Sequence, residues 1–391
     1  MASVVHKIVY GLRTVGPVYL LRAVPNELAR PRLASTRWLR NLLIAAHDWQ
    51  RKDPLADTFG GEDCLQFVYD FAASPITFDF ASHLAAAEIE RRRRGLGGLV
   101  VIFVPGPHEG MRKELPAYEA VIDTRARASR IRHILLPMLA MLPSVRGHVV
   151  CGSRAEAKAL VSTDPAKLYP RDYRVFLPCQ PPPADIHDHG RSGAPVLPLF
   201  RATPHGRRLA AGFLAQHADK RRPIVITLRH SLVDPERNSS DADWLAFADS
   251  LDPELYAPIF VADTDSVTPG LPDPFSRHII CEAATWNLEF RMGLYEAAWL
   301  NVAIMHGPLE LCWYNERARY LLFVPVGSSR VTSPDFLSET GIETGTDLAF
   351  AKPHQRLVWE RDEAAAISRA FDAMLPQLAA QDDGTTPGAA G

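Results

Sequence analysis

Short apolar runs, each too brief for a helix and each ending in polar or glycine-bearing residues, recur along this chain between segments of helical period. The first set is Cys64–Phe71, Leu99–Val104 and Val149–Cys151, with helical patterns over Asp79–Arg94, Thr124–Leu142 and Arg154–Val161. The second set is Pro223–Arg229, Ala257–Ala262, His278–Cys281, Leu300–Met305 and Arg319–Val324. Helical patterns accompany it over Leu209–His217, Asp241–Ser250, Asn287–Ala298 and Arg361–Leu378. Unbroken apolar strands rich in Val and Ile belong to parallel sheets covered on both faces, and strand–helix alternation supplies the crossovers that such sheets need. The expected fold class is therefore α/β, with two parallel-sheet domains facing a cleft.

A chain of 391 residues exceeds one ordinary core. Residues 177–206 hold Pro178, Pro181, Pro182, Pro183, Pro195, Pro198 and Pro204, and they read as a linker without regular structure. This places an N-terminal domain at 56–176 and a C-terminal domain at 207–378, followed by a small, polar tail (379–391) expected to be disordered. Residues 1–55 form a basic amphipathic segment. Within 1–52, nine Lys or Arg stand against two acids, a local charge of +7, with Val, Leu, Tyr and Trp interleaved. Two readings follow: peripheral contact with an anionic membrane surface, or helices packed on the body with a solvated basic face.

The whole-chain charge of −2 gives no footprint for nucleic acid. No apolar run reaches the roughly 18–20 residues of a membrane span, and no leader pattern is present. Five cysteines without a CxxC pair indicate reduced core thiols, hence a cytoplasmic protein, peripheral at the inner face of the membrane if the basic segment binds there. Asp185, His187, Asp188 and His189 sit in the linker, a poor metal cage, so no metal site is expected. Arg91–Arg94 suits the negative end of a helix.

In open α/β sheets, ligand groups gather where strands end. Arg229 and His230 follow the run Ile224–Leu228, and Asn238, Ser239 or Ser240 can cap the next helix. A guanidinium beside a capped helix start makes an anion site; the alternative is that Arg229 pairs with an acid such as Asp234 or Asp263. Two further strand ends carry Asp263-Thr264-Asp265 and His306-Gly307-Pro308.

These strand ends resemble the GT-B glycosyltransferases, and within them the fucosyltransferase-like branch that uses GDP-sugars. Thr227-Leu228-Arg229-His230 is similar to the H-x-R-x-G-D motif at its arginine. Val261-Ala262-Asp263-Thr264-Asp265 resembles the A-T-D-D motif with its order permuted, and Met305–Glu310 takes the position of the third motif. The resemblance implies two Rossmann-like domains and transfer of a sugar from a nucleotide-diphosphate donor to a glycan or protein hydroxyl, without a metal or other cofactor. It implies donor contacts from Arg229, His230, Asn238, Asp263, Asp265, His306 and Gly307. A base for the acceptor is sought at His108, Glu109 and Asp70. An epimerase on the same architecture and an inactive binding protein are the alternatives.

Overall fold

A computed structural model describes residue 27 and residues 33–50, 54–180, 184–264 and 270–384. Its contacts divide the chain into two compact units. The first comprises 1–76, 86–119 and 144–182; the second comprises 77–85, 120–143 and 183–391. Each is built on a parallel sheet.

The first unit has a four-stranded sheet in the order β3-β2-β1-β4. Its strands are β1 (Cys64–Asp70), β2 (Gly98–Val104), β3 (Val145–Val150) and β4 (Leu168–Tyr169). Every residue of β1 and β2 is buried, which is why both read as continuous apolar runs rather than alternating ones. Their register sets Phe67 beside Val101 and Tyr69 beside Phe103. Gln66 is the polar residue in the middle of β1. Its amide donates to the Ala56 and Phe59 carbonyls and accepts from the Ser162 N–H, so its burial leaves no group unsatisfied.

The second unit has a six-stranded sheet in the order β10-β9-β8-β5-β6-β7. Its strands are β5 (Arg222–Thr227), β6 (Tyr256–Val261), β7 (Ile279–Ile280), β8 (Leu300–Ile304), β9 (Tyr320–Phe323) and β10 (Gln355–Val358). Central β5 lies between β6 and β8, and all pairings are parallel. The core on one face collects Ile224, Ile226, Trp244, Phe260, Val302 and Phe323 with Ile367, Phe371, Met374 and Leu378 of the C-terminal helix Ala364–Gly384.

Three sequence expectations need correction. Residues 177–206 are not free of regular structure, because Ala184–Arg191 is a helix. The prolines of this span fall before and after that helix, where they cost it no hydrogen bond. Residues 379–384 are not disordered but continue the C-terminal helix, and Asp382 there accepts from Trp299 Nε1 at 2.9 Å and Arg319 at 2.8 Å. The helical stretch expected over Thr124–Leu142, with Pro137 as a kink or break, is interrupted earlier than the proline: it runs Thr124–Arg130, then a widened π turn at Ile131–Leu135, then Leu136–Leu139. Pro137 has no N–H to continue the ladder, and the wider turn precedes it. Residues 385–391 lie outside the described residues.

His187 on the helix Ala184–Arg191 is buried, with its ring 5.4 Å from that of Phe350. Burial, reinforced by Arg191, lowers its pKa to about 4 from 6.5, against the opposing pull of Asp188. The unfolded chain therefore binds this proton more tightly. Stability should be fully present above pH 6.5 and fall as pH drops toward 4, by on the order of 3 kcal/mol for this one group. Urea unfolding between pH 7 and pH 4.5 should show that loss, and His187→Phe should flatten its share of the slope.

Candidate functional site

The carboxyl ends of β5, β6 and β8 carry the polar groups of the second unit. Arg229 lies just past β5 and is buried. One of its terminal nitrogens donates to the Asp234 carbonyl at 2.9 Å and to Asn238 Oδ1 at 2.6 Å; the other donates to the Val233 carbonyl at 2.5 Å. Arg229 thus organises its own loop through the Val233 and Asp234 carbonyls and the Asn238 side chain. Asn238 closes that loop, accepting from the Ser231 N–H and donating to the Ser231 carbonyl, both at 3.0 Å. Ser239 Oγ accepts from the Arg229 N–H.

The next helix, Asp241–Ser250, does not present the anion site expected at its start. Ser240 occupies the N-cap position, but its hydroxyl bonds Asp243, and its N–H donates to Asp362. Asp241 and Asp243 fill the first turn, and Asp241 also holds His230 Nε2 at 2.6 Å. Carboxylates already complement that helix end.

The loop built by Arg229 brings up a second guanidinium that the sequence reading passed over. Arg237 donates to the Met305 carbonyl at 3.2 Å, directly before His306, and its carboxylate contact with Asp234 is long at 4.0 Å. Its Nε is buried without a partner among the described residues. Burial first, then the neighbouring Arg229 charge, lowers its pKa to about 10, against the opposing pull of Asp234, Asp79 and Glu236.

At the end of β8, His306 is 6% exposed. Its Nδ1 lies 2.7 Å from the Ile304 carbonyl. A carbonyl only accepts, so Nδ1 carries the proton and Nε2 is left as a bare acceptor; that atom is buried and has no partner among the described residues. Burial holds the pKa near 4, with Arg229 and Arg291 pushing down and Asp263 pulling up. Neutral His306 is therefore suited to accept from a hydroxyl or amino group, not to hold an anion. Gly307 is required by contact: a Cβ there would meet Phe78 Cβ at 2.9 Å.

Phe78 precedes Asp79, an exposed acid beside Glu310. Glu310 is buried and accepts from Ser82 Oγ at 2.6 Å, and that hydroxyl lies 2.9 Å from Tyr314 Oη. Burial first, then the Asp79 charge, drives the Glu310 pKa well above the carboxylate range, so Glu310 is the neutral, hydrogen-donating member of an acid pair.

Asp263, after β6, is buried and accepts from the His230 N–H at 3.2 Å. Asp265 lies outside the described residues. Beneath this strand end, fully buried Arg291 donates to the Ala262 carbonyl at 2.8 Å and the Ala284 carbonyl at 2.7 Å.

Arg229, His230, Asn238, Asp263, His306 and Gly307 thus belong to one sheet edge. His108 and Glu109 belong to the first unit, exposed on a tight hairpin in which Glu109 (φ 50°) and Gly110 (φ 83°) form the turn. Asp70, also in the first unit, is fully buried. Arg154 grips both its oxygens at 3.0 and 2.9 Å, and Tyr173 Oη donates at 2.7 Å. Its acceptor capacity is taken up by structure, which removes it as a base. The first unit also holds a cavity of about 420 Å³. It is lined in part by Arg154 and Arg174, which are already paired with Asp70 and Asp48.

No protein-family profile matches the sequence, and no curated protein matches it. Solved structures to which the chain is similar include the following three. One is a glycosyl transferase of family 9 from Veillonella parvula DSM 2008 (10% identity, 79% of this chain and 89% of that one, TM-score 0.40). Another is the ADP-heptose lipopolysaccharide heptosyltransferase II of E. coli (11%, 80% and 98%, TM-score 0.46). The third is the E. coli heptosyltransferase WaaC with ADP-2-deoxy-2-fluoro heptose (11%, 79% and 99%, TM-score 0.33).

Proposed function

We propose that the carboxyl edge of the second sheet binds the diphosphate of a nucleotide-sugar and that the chain transfers the sugar to a glycan or protein hydroxyl. The observation that carries this reading is Arg237 near buried Arg229, with a terminal nitrogen on the Met305 carbonyl and its Nε without a partner among the described residues. Neighbouring cations held away from bulk water repel, and a bound anion relieves them. A departing diphosphate is an anion whose charge grows in the transition state, where fixed guanidiniums act most strongly. Those guanidiniums supply the positive charge, so the transfer is written without a metal. His306 Nε2 accepts from a hydroxyl of the ribose or the sugar, and Asp263 stands near it for the same purpose.

Asp79 is the proposed base. As the acceptor oxygen bonds to the anomeric carbon, its proton passes to Asp79. The bond from that carbon to the diphosphate breaks, and the electron pair stays on the phosphate oxygen. Neutral Glu310, held by Ser82, orients Asp79 by a hydrogen bond. His108 and Glu109 are the remaining candidates for that role. A guanine nucleotide is proposed first, on the motif resemblance at Arg229, with ADP- and UDP-sugars as alternatives in the same assay. One observation favours a second reading, a binding protein without turnover: the donors of Arg229 are committed to its own loop.

Thermal shift against ADP, GDP and UDP, followed by product analysis with the matching sugars, tests the proposal. A nucleotide at 100 times its Kd should stabilise the fold by about 2.7 kcal/mol. Silence from all three would end the nucleotide reading, and binding without product would favour the second.

Two substitutions separate the roles. Arg237→Ala should leave the melting temperature nearly unchanged and weaken transition-state binding by about 30- to 1000-fold, with Arg237→Lys recovering little. Arg229→Ala should lose affinity and melting temperature together, because the loop loses its organiser.

Asp79→Asn should lower kcat by roughly 10²- to 10⁴-fold while donor KM stays put. A parallel rise in donor KM would instead mean that Asp79 binds the donor.

A further inference from the structure

The helix Ala34–Gln50 in the first unit is inside out. Its inward face carries Arg40, His47 and Asp48 beside Leu43 and Ile44, and it is tied down by polar contacts. Arg40 is fully buried, donating to the Asp172 carboxylate at 2.9 Å and to the Asp172 and Leu177 carbonyls at 2.8 and 3.0 Å. Asp48 accepts from Arg174 Nε at 2.7 Å, and the His47 ring lies 4.8 Å from that of Phe176.

The outward face is mostly apolar, with Ser35, Arg37 and Asn41 the exposed polar residues on it or at its edge. Trp38 (66% exposed), Leu39, Leu42, Ala45, Ala46 and Trp49 (85% exposed) follow the spacing of one helical stripe. A helix of a water-soluble surface shows the reverse arrangement, and a contiguous apolar stripe on a surface marks a contact.

We infer that this stripe is a lipid-binding face that lies in the plane of an anionic membrane surface. Three features select lipid over a protein partner. The two tryptophans bracket the stripe, about 16 Å apart along the axis, and Trp is the side chain that settles at a membrane–water interface. The segment 1–52 carries a charge of +7, complementary to anionic headgroups. The exposed apolar residues recur along the length of the helix Ala34–Gln50, so the contact they offer is in-plane. Ion pairs at Arg40 and Asp48 fix the helix to the unit, so the stripe is presented without local refolding.

Flotation of the full chain with phosphatidylcholine vesicles, with and without an equal share of phosphatidylglycerol, tests this. The wild type should float with the anionic vesicles, less so at high salt. Trp38→Ser and Trp49→Ser should each weaken binding by about tenfold, from the loss of a large apolar ring, with unchanged melting temperatures because both side chains are exposed. A wild type that does not float overturns the inference, as does equal flotation of wild type and the double variant. So does a concentration-dependent dimer that the Trp substitutions break without vesicle binding, which would make a second copy the occupant.

Discussion

Arg229 is where the carboxyl end of the second unit's sheet becomes a defined surface. A strand end alone delivers a side chain into a loop whose shape is open. Here the guanidinium donates to the Val233 and Asp234 carbonyls and to Asn238, and the loop closes around it. Asp234 takes a left-handed backbone, φ 51°, immediately before Pro235, a conformation that a short polar residue tolerates and that the carbonyl contacts help hold. Everything ligand-facing in this loop depends on that closure, including the delivery of Arg237 to the Met305 carbonyl at the tip of the neighbouring strand. The arginine that looks functional in sequence is the builder, and the arginine beside it is the one with an open donor.

The same edge also keeps its titratable groups in useful states. His306 is held neutral by burial and by the two guanidiniums near it, with its proton fixed on Nδ1 by a carbonyl. Glu310 is held protonated by burial and by a neighbouring acid. Neutral acceptor, neutral donor, exposed carboxylate and paired cations are four different offers to a ligand. A low-dielectric strand edge differentiates them without any exotic residue.

Much of the architecture was legible in the sequence because burial on both faces leaves a plain mark. The apolar runs ending at Asp70, Val104, Thr227, Val261 and Ile304 are strands, and each restarts after a helix. β7, expected over His278–Cys281, is the two residues Ile279–Ile280, while two-residue β4 and β10 with its alternating burial were below that threshold or different in pattern. Strand ends located Arg229, Asp263 and His306 for the same reason. Arg237, Asp79 and Glu310 were not legible as a group, since they approach one another only through a closed loop and a turn from a distant part of the chain. The helix-start anion site failed on a local detail: acids occupy the first turn of Asp241–Ser250, and Asp362, remote in sequence, reaches its cap.

Gly307 has a consequence for how this edge can vary. Its Cα sits so near Phe78 that a single methyl group would intrude, and the residue after Phe78 is the acid opposite Glu310. The separation between the His306 turn and the Asp79 turn is therefore gauged by an absence, the missing side chain of one residue. Enlarging position 307 would act as a wedge, displacing the acid from the histidine while leaving both of them chemically intact. Drift at this point would be read out as altered geometry between two turns, long before it was read out as a failure to fold.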